Sequence, residues 1–302
     1  MSHHQLFSSL MIALIVAACA PATPAPAPTP TPVPVTPAPL DEKVDVGGYK
    51  LRIICTGQGT PTVIVDGDFA DPALESGGWI NVRYGIEETT RICVYDRAGL
   101  GSSDAPPTQP RTSHDMVKDL HTLLVNADVP GPYILVGADI GGFNVRIYVS
   151  QYPEEVAGMV LVDSMHPDYE AATLAALPPQ SSGEPAILRF IRSAGVFPDP
   201  MENLESIDFI ASASQVRDAN SLGDLPLVVL TSANRYQYLD LPPDVEAKIG
   251  QVWQDLQVDL ATLSSNSTHI MATEDSSYIY IPLQKPQLVI DAILEVIDGA
   301  KK

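Results

Sequence analysis

Residues 133–142 read Tyr-Ile-Leu-Val-Gly-Ala-Asp-Ile-Gly-Gly. An apolar run of strand type meets Gly137-x-Asp139-x-Gly141 and passes directly into a helical pattern that stops at Pro153. The glycines permit a sharp strand-to-helix turn, because a Cβ there strikes neighbouring backbone. The turn thrusts its central side chain, Asp139, out at a helix N-terminus, where backbone N–H groups favour negative charge. Such a turn joins a strand directly to a helix, so its meaning depends on how the rest of the chain is organised.

The remaining segments alternate likewise. Lys50–Cys55 and Thr62–Val65 are β-rich runs, and the Thr56-Gly57-Gln58-Gly59 between them is a hairpin signal. Arg91–Tyr95, Gly158–Val162, Leu225–Leu230 and His269–Ala272 complete the expected strands. Helices are expected over residues 112–127, with Thr112 as cap, over 243–263, and from Pro286 onward. Residues 164–224 lose the alternation and read as mixed helices and loops. Strands alternating with helices predict a mostly parallel sheet covered on both faces, an α/β fold.

The first forty residues stand apart. Residues 1–18 contain no charged side chain, and Leu10–Ala18 is an apolar run far short of the ~20 residues that span a bilayer. This is a signal-peptide pattern. Its end, Val16-Ala17-Ala18-Cys19, resembles the lipobox of bacterial lipoproteins, which implies lipidation of Cys19. Residues 19–40 then hold nine of the 28 prolines among Ala, Thr and Val. Such a stretch cannot pack a core and forms an extended spacer of ~3.1 Å per residue, ~60 Å in all. The division expected is a signal peptide over 1–18, a lipidated linker over 19–40 and a folded domain over 41–302, located outside the cytoplasm on a bacterial membrane.

All of the formal charge of −20 therefore belongs to residues 41–302. With a pI near 4.4 the chain has nothing to replace the counterions around phosphates, so nucleic acid is excluded as a partner. Three cysteines exclude a disulfide scaffold and a multi-Cys zinc module. No cofactor or metal is implied, and contact with a membrane is expected through the lipid anchor alone.

Several blocks in order resemble the α/β-hydrolase family across about residues 47–300. These are Thr62-Val-Ile-Val-Asp-Gly67, Val94-Tyr-Asp-Arg-Ala-Gly-Leu-Gly-Ser-Ser-Asp104, the Gly137–Gly141 turn as a nucleophile elbow, and Tyr152-Pro-Glu-Glu-Val-Ala-Gly-Met-Val-Leu-Val-Asp163. The run Asp96-Arg-Ala-Gly99 is the most specific of them. The resemblance implies an eight-stranded, mostly parallel sheet in the order 1-2-4-3-5-6-7-8, helices on both faces, and a helical cap over about 164–224 with a small-molecule ligand or substrate beneath it. It also makes the strands of Cys55 and Cys93 neighbours, open to a disulfide or to two buried thiols.

The family's elbow residue is most often Ser. Asp139 in that place resembles the haloalkane dehalogenases and epoxide hydrolases, where Asp attacks an alkyl carbon and a His-activated water cleaves the resulting ester. The histidine position after the last strand falls here on Ser277, which is no base at neutral pH. Of the six histidines, His166 enters the cap and is the candidate substitute base, or else a residue anchoring the cap hinge. His269 reads as structural, and His114 and His121 as solvated helix positions. Asp163, ending the strand after the elbow helix, is the candidate triad acid. The backbone N–H groups of Asp68 and Ile140 are the candidate oxyanion hole. Ile140 also lacks the side-chain donor that dehalogenases place after the nucleophile.

Three readings compete at this stage. One is a degenerate hydrolase kept for binding, weakly active or inactive. Another is an active hydrolase with Asp139 as nucleophile. The third is an acidic site for a cation or amine, built from Asp68, Asp139 and Asp163.

Overall fold

The structure is a computed structural model. It describes residues 38–194, 199–219, 221–233, 240–272 and 280–301. The signal segment, Cys19, most of the linker and Ser277 lie outside the described residues.

The strands are β1 (Leu40–Asp45), β2 (Lys50–Thr56), β3 (Thr62–Asp66), β4 (Ile92–Tyr95), β5 (Tyr133–Ala138), β6 (Val156–Val162), β7 (Leu227–Ser232) and β8 (Ser267–Ala272). They form one sheet in the order β1-β2-β4-β3-β5-β6-β7-β8. The β1–β2 and β2–β4 pairs are antiparallel and the other five are parallel. Between them lie helices α1 (Gly77–Ile86), α2 (Ser113–Asn126), α3 (Gly141–Gln151), α4 (Tyr169–Ala176), α5 (Ala186–Ala194), α6 (Phe209–Arg217), α7 (Pro243–Ala261), α8 (Ile281–Gln284) and α9 (Pro286–Ala300).

Two cores sandwich the sheet, and the alternation along each strand feeds both. On β5, Leu135 faces a core with Leu120, Phe143 and Trp253, while Ile134 and Val136 face one with Trp79, Val82, Val289 and Ile293. Every residue of β3 and β5 is buried, which reads in sequence as a continuous apolar run and marks the centre of a parallel sheet. Helix α2 begins where expected: Asp115 accepts the Thr112 N–H at 2.8 Å, tying down its first turn.

Two expectations are corrected. The Thr56–Gly59 turn closes no hairpin, because β4 lies between β2 and β3. β3 is buried on both faces and so belongs at the sheet centre, whereas β2 carries half-exposed positions. Gly57 serves a crossing instead: at φ +72° it brings the chain so close to the Thr90 carbonyl that a Cβ would sit 2.3 Å from it. Strand β1 begins at Leu40, within the segment assigned to the linker. Its exposed, charged residues gave it no apolar run to be recognised by.

Cys55 and Cys93 are directly opposed in the β2–β4 register and form a disulfide, with Cα atoms 4.0 Å apart. The bond closes a loop spanning 38 residues. By chain entropy such a loop contributes about 4 kcal/mol to stability. Urea unfolding with and without a thiol reductant should show a loss of that order. Identical midpoints would mean the thiols are unpaired.

Candidate active site

The elbow is as sharp as its glycines allow. Gly141 passes so close to β3 that a Cβ would lie 2.2 Å from the Asp66 carbonyl oxygen, and one on Gly137 would lie 2.6 Å from the Gly141 carbonyl. Asp139 between them has φ +50°, a left-handed conformation costing a non-glycine residue about 1–3 kcal/mol. Backbone bonds hold it there. Its N–H donates to Val162 at 3.3 Å, and its carbonyl accepts from Gly142 at 3.1 Å and Met165 at 3.0 Å. The side chain stays partly exposed at the start of α3, while Ile140 behind it is fully buried.

Opposite the elbow, β3 runs out into the loop Asp66–Ala70. One buried side chain, Arg97, shapes this loop. Its Nη1 donates to the Asp66 carboxylate and the Gly67 carbonyl, each at 2.7 Å. Its Nη2 donates to the Asp68 carbonyl at 2.6 Å and to Glu205 Oε1 at 2.8 Å, and Nε donates to Glu205 Oε2 at 2.7 Å. Burial works against the guanidinium charge, but Glu205 and then Asp66 outweigh it and hold Arg97 firmly protonated. Asp66 is completed by Tyr95 Oη at 2.9 Å and Asn144 Nδ2 at 3.0 Å.

This grip decides which amide faces Asp139. In a trans peptide the C=O and the following N–H point in opposite directions. Arg97 draws the Asp68 carbonyl toward itself, so the Phe69 N–H points the other way. It donates to Asp139 Oδ2 at 3.3 Å. The sequence names the Asp68 and Ile140 amides as the oxyanion hole; the amide that hydrogen-bonds the elbow carboxylate itself is that of Phe69. Ala70, next in the loop and also at positive φ, donates to Glu205 Oε1 at 2.7 Å.

The Asp68 side chain lies on the far side of its own peptide. Trp79 Nε1 donates to its Oδ2 at 3.1 Å. It keeps some solvent contact, but protein surrounds it. Burial, then the neighbouring Asp139 charge, push its pKa up to about 8, with the Trp79 bond partly opposing. Asp71 is raised as well, chiefly by burial, and receives a hydrogen bond from the Tyr280 hydroxyl.

The other sequence candidates are placed as follows. Asp163 sits buried at the end of β6 with φ +44°. Its Oδ1 accepts from the Ser232 N–H at 2.8 Å and from Trp253 Nε1 at 3.3 Å, joining the ends of β6 and β7 to α7. His166 is buried, with Nε2 3.0 Å from Asp259 Oδ2 and Nδ1 accepting the Asp168 N–H at 3.1 Å. Both ring nitrogens are thus occupied by partners other than Asp139, an arrangement that ties the start of the insertion to α7. Burial lowers its pKa, against the pull of Asp259. His269 bonds Thr231 Oγ1 at 2.8 Å within the sheet, and His121 stacks on Tyr152. Among the described residues, no group of three or more His, Cys, Asp or Glu is arranged to hold a metal ion.

Arg97, Glu205 and Phe69 carry no role in the sequence reading. Arg97 stood in the quoted Asp96-Arg-Ala-Gly block, which is a usable signal. Glu205 lies 108 residues from it, in a segment without periodicity, and has none.

A sharp elbow on the central strand of such a sheet, faced by an amide loop after β3, defines the α/β-hydrolase class of site. Residues 63–290 match the family described as alpha/beta hydrolase fold, and the chain belongs to that family. It is 28% identical over 218 residues to the uncharacterized protein YqjL of Bacillus subtilis, covering 72% of this chain and 77% of that one. It is 29% identical over 132 residues to an uncharacterized vacuolar membrane protein of Saccharomyces cerevisiae, covering 39% of this chain. The chain spans about a fifth of that relative's length, 20%. Among solved structures, the mouse alpha/beta hydrolase domain-containing protein 10 superposes with a TM-score of 0.58 at 18% identity, covering 86% of this chain and 99% of that one.

Two measurements check this electrostatic frame. Glu205→Gln removes one partner of a buried ion pair and should cost about 3–5 kcal/mol in urea unfolding; a loss below ~1 kcal/mol, the value of a surface pair, would mean the fork is not buried. Asp68 has a folded-state pKa above the ordinary 3.8, so its contribution to stability is complete below pH 4 and is lost as pH rises through 8. Asp68→Asn should therefore flatten the fall in the urea midpoint between pH 5 and 9. A fall as steep as the parent's would show that Asp68 titrates normally.

Proposed function

We propose that this member of the family is an extracytoplasmic lipoprotein, anchored through Cys19, that binds a small molecule at Asp139 and turns it over weakly or not at all. The observation carrying the site reading is the Phe69 N–H on Asp139 Oδ2. That hydrogen bond holds the elbow carboxylate at the turn where the family carries its reacting side chain.

The chemistry of such a carboxylate is limited. It can displace a leaving group from an alkyl carbon: the new C–O bond joins the carbon to Asp139, and halide departs with its electron pair or an epoxide opens to an alkoxide that takes up a proton. Releasing the resulting ester requires water and a base. Ser277 stands where the family carries histidine, residues 273–279 contain no histidine at all, and the ring nitrogens of His166 are engaged by Asp259 and Asp168. On this reading the second step is the impaired one. Missing general-base catalysis slows a step by about 10²–10⁴-fold. A second reading, a site for an amine or other cation, is favoured by one observation: the Asp139 charge helps raise the pKa of Asp68, and a bound cation would relieve that repulsion.

Intact-mass measurement of the full chain after exposure to ester, epoxide and haloalkane panels separates these readings. A lasting adduct, absent in Asp139→Asn, with turnover slower than labelling by the margin above, is the expected result. Rapid turnover abolished by Asp139→Asn would establish an active hydrolase instead. Neither adduct nor turnover, with thermal stabilisation by an alkylamine, would establish the cation site. Fatty-acid labelling that is lost in Cys19→Ser checks the anchor separately.

A further inference from the structure

The loop after β3 meets the elbow, yet it carries a carboxyl of its own, Asp68. Ionised, that group would repel any oxygen that leaves a substrate with an electron pair. Protonated, it does the opposite, because a carboxylic acid is a donor. Its surroundings favour the proton. Trp79 Nε1 donates to Oδ2 at 3.1 Å, which leaves Oδ1 to carry the proton, and no described residue donates to that oxygen. Arg97 holds the Asp68 carbonyl at 2.6 Å and so fixes the main chain. The next amide, that of Phe69, lies 3.3 Å from Asp139 Oδ2. The Asp68 Cα is therefore within about 6 Å of that oxygen. Burial raises the Asp68 pKa most, and Asp139 from the elbow raises it further. The Trp79 bond lowers it, Asp71 in the same loop raises it, and Arg97 from the loop after β4 lowers it. The result is a pKa of about 8, so the acid form prevails at neutral pH. The residue is partly exposed, which keeps the proton within reach of a ligand.

We propose that Asp68 is the proton donor of this site, and that the substrate it suits is a strained cyclic ether, such as an epoxide, and not an alkyl halide. The inference rests on attack by Asp139 at carbon, as proposed above, and names the compounds that this attack would favour. The reason lies in the fate of the leaving atom. Halide departs with its electron pair and needs no proton. An epoxide opens differently. Asp139 adds to one ring carbon, the bond from that carbon to the ring oxygen breaks with its electron pair going to oxygen, and this oxygen takes the Asp68 proton. A hydroxyalkyl ester of Asp139 and an Asp68 carboxylate remain. The count of charge is unchanged, one anion before at Asp139 and one after at Asp68. As Asp139 becomes an ester it loses the charge that repelled Asp68, so ionisation of Asp68 becomes easier in the same step. The Trp79 N–H then donates to an anion, a stronger bond than to a neutral acid. Asp68 regains its proton from solvent. The nearby hydroxyl of Tyr280 already donates to Asp71.

The test follows the intact mass of the full chain over time with epoxyhexane and with bromohexane, each against Asp139→Asn as the blank. In the parent, labelling by epoxyhexane should fall as pH rises through about 8, because the protonated form of Asp68 is the one that donates. Labelling by bromohexane should show no such fall. In Asp68→Asn the ratio of epoxyhexane to bromohexane labelling should drop about 10²-fold, the lower end of what a positioned general acid contributes. The pH dependence around 8 should disappear with it. A merely structural Asp68 would move both reagents together and leave the ratio as it was. An unchanged ratio, or epoxyhexane labelling in the parent that does not fall across that pH range, would overturn the proposal and leave Asp139 as the nucleophile. Adducts from neither reagent would overturn the attack by Asp139 itself, and the donor role with it. If Asp68→Asn does not fold, the pH profile of the parent decides alone.

Discussion

Everything at this site hangs on the five hydrogen bonds of Arg97. A buried guanidinium is tolerable only when its fork is matched, and here two carboxylates and two carbonyls match it. The two halves of the fork do different things. The Asp66 and Glu205 contacts keep the charge in place. The carbonyl contacts convert that charge into backbone geometry, because holding Gly67 and Asp68 by their oxygens orients the next N–H toward Asp139. A lysine could supply the charge but not the planar set of donors. The orientation of the Phe69 amide, after β3, is thus fixed by a side chain on the outgoing loop of the neighbouring strand β4.

The same fork makes the insertion part of the site. Glu205 belongs to the stretch between β6 and β7, yet it completes Arg97 and also accepts the Ala70 N–H. The residues after it are fixed from the other side: Ser206 accepts the Arg111 N–H at 2.8 Å and Asp208 donates to the Arg111 carbonyl at 2.8 Å. Arg111 is itself paired to Asp119 at 2.6 Å on α2. The segment around Glu205 is consequently a fixed wall. Opening it would expose a buried ion pair and release the Asp66–Ala70 loop together, so the amide loop and this wall form one cooperative unit.

What the sequence made legible follows from where information is local. The α/β class and the elbow were readable because each is written in a contiguous run, apolar stretches for β3 and β5 and paired glycines for the turn, whereas the strand order came from the resemblance of those runs to the family. The disulfide was readable as a possibility once the order of strands was implied, since Cys55 and Cys93 then face each other. β1 was missed because an exposed edge strand carries charged residues and no apolar signature. The hairpin was misread because Thr-Gly-Gln-Gly has turn chemistry whether it closes a hairpin or carries a crossing. Glu205 was invisible for a deeper reason. Its meaning depends on an arginine 108 residues away, and no local pattern announces a partner at that distance.

The Phe69 amide shows the limit most clearly, because nothing in its own run of residues directs it to Asp139. The direction comes from a carbonyl being held, which is not a property of that amide. With the 68–69 peptide turned this way, the Phe69 N–H reaches Asp139, and the Asp68 side chain meets Trp79, where burial and then the Asp139 charge raise its pKa. Both placements follow from one constraint. The acidity of the elbow and the Asp66–Ala70 loop, with Asp66, Asp68, Asp71, Asp139 and Glu205, is sustainable because the Arg97 fork satisfies two of the carboxylates and Trp79, Tyr280 and the Phe69 amide donate to the others. Replacing the elbow serine of the family by aspartate adds a charge to that environment. It is accommodated where a donor is already directed, at the Phe69 amide.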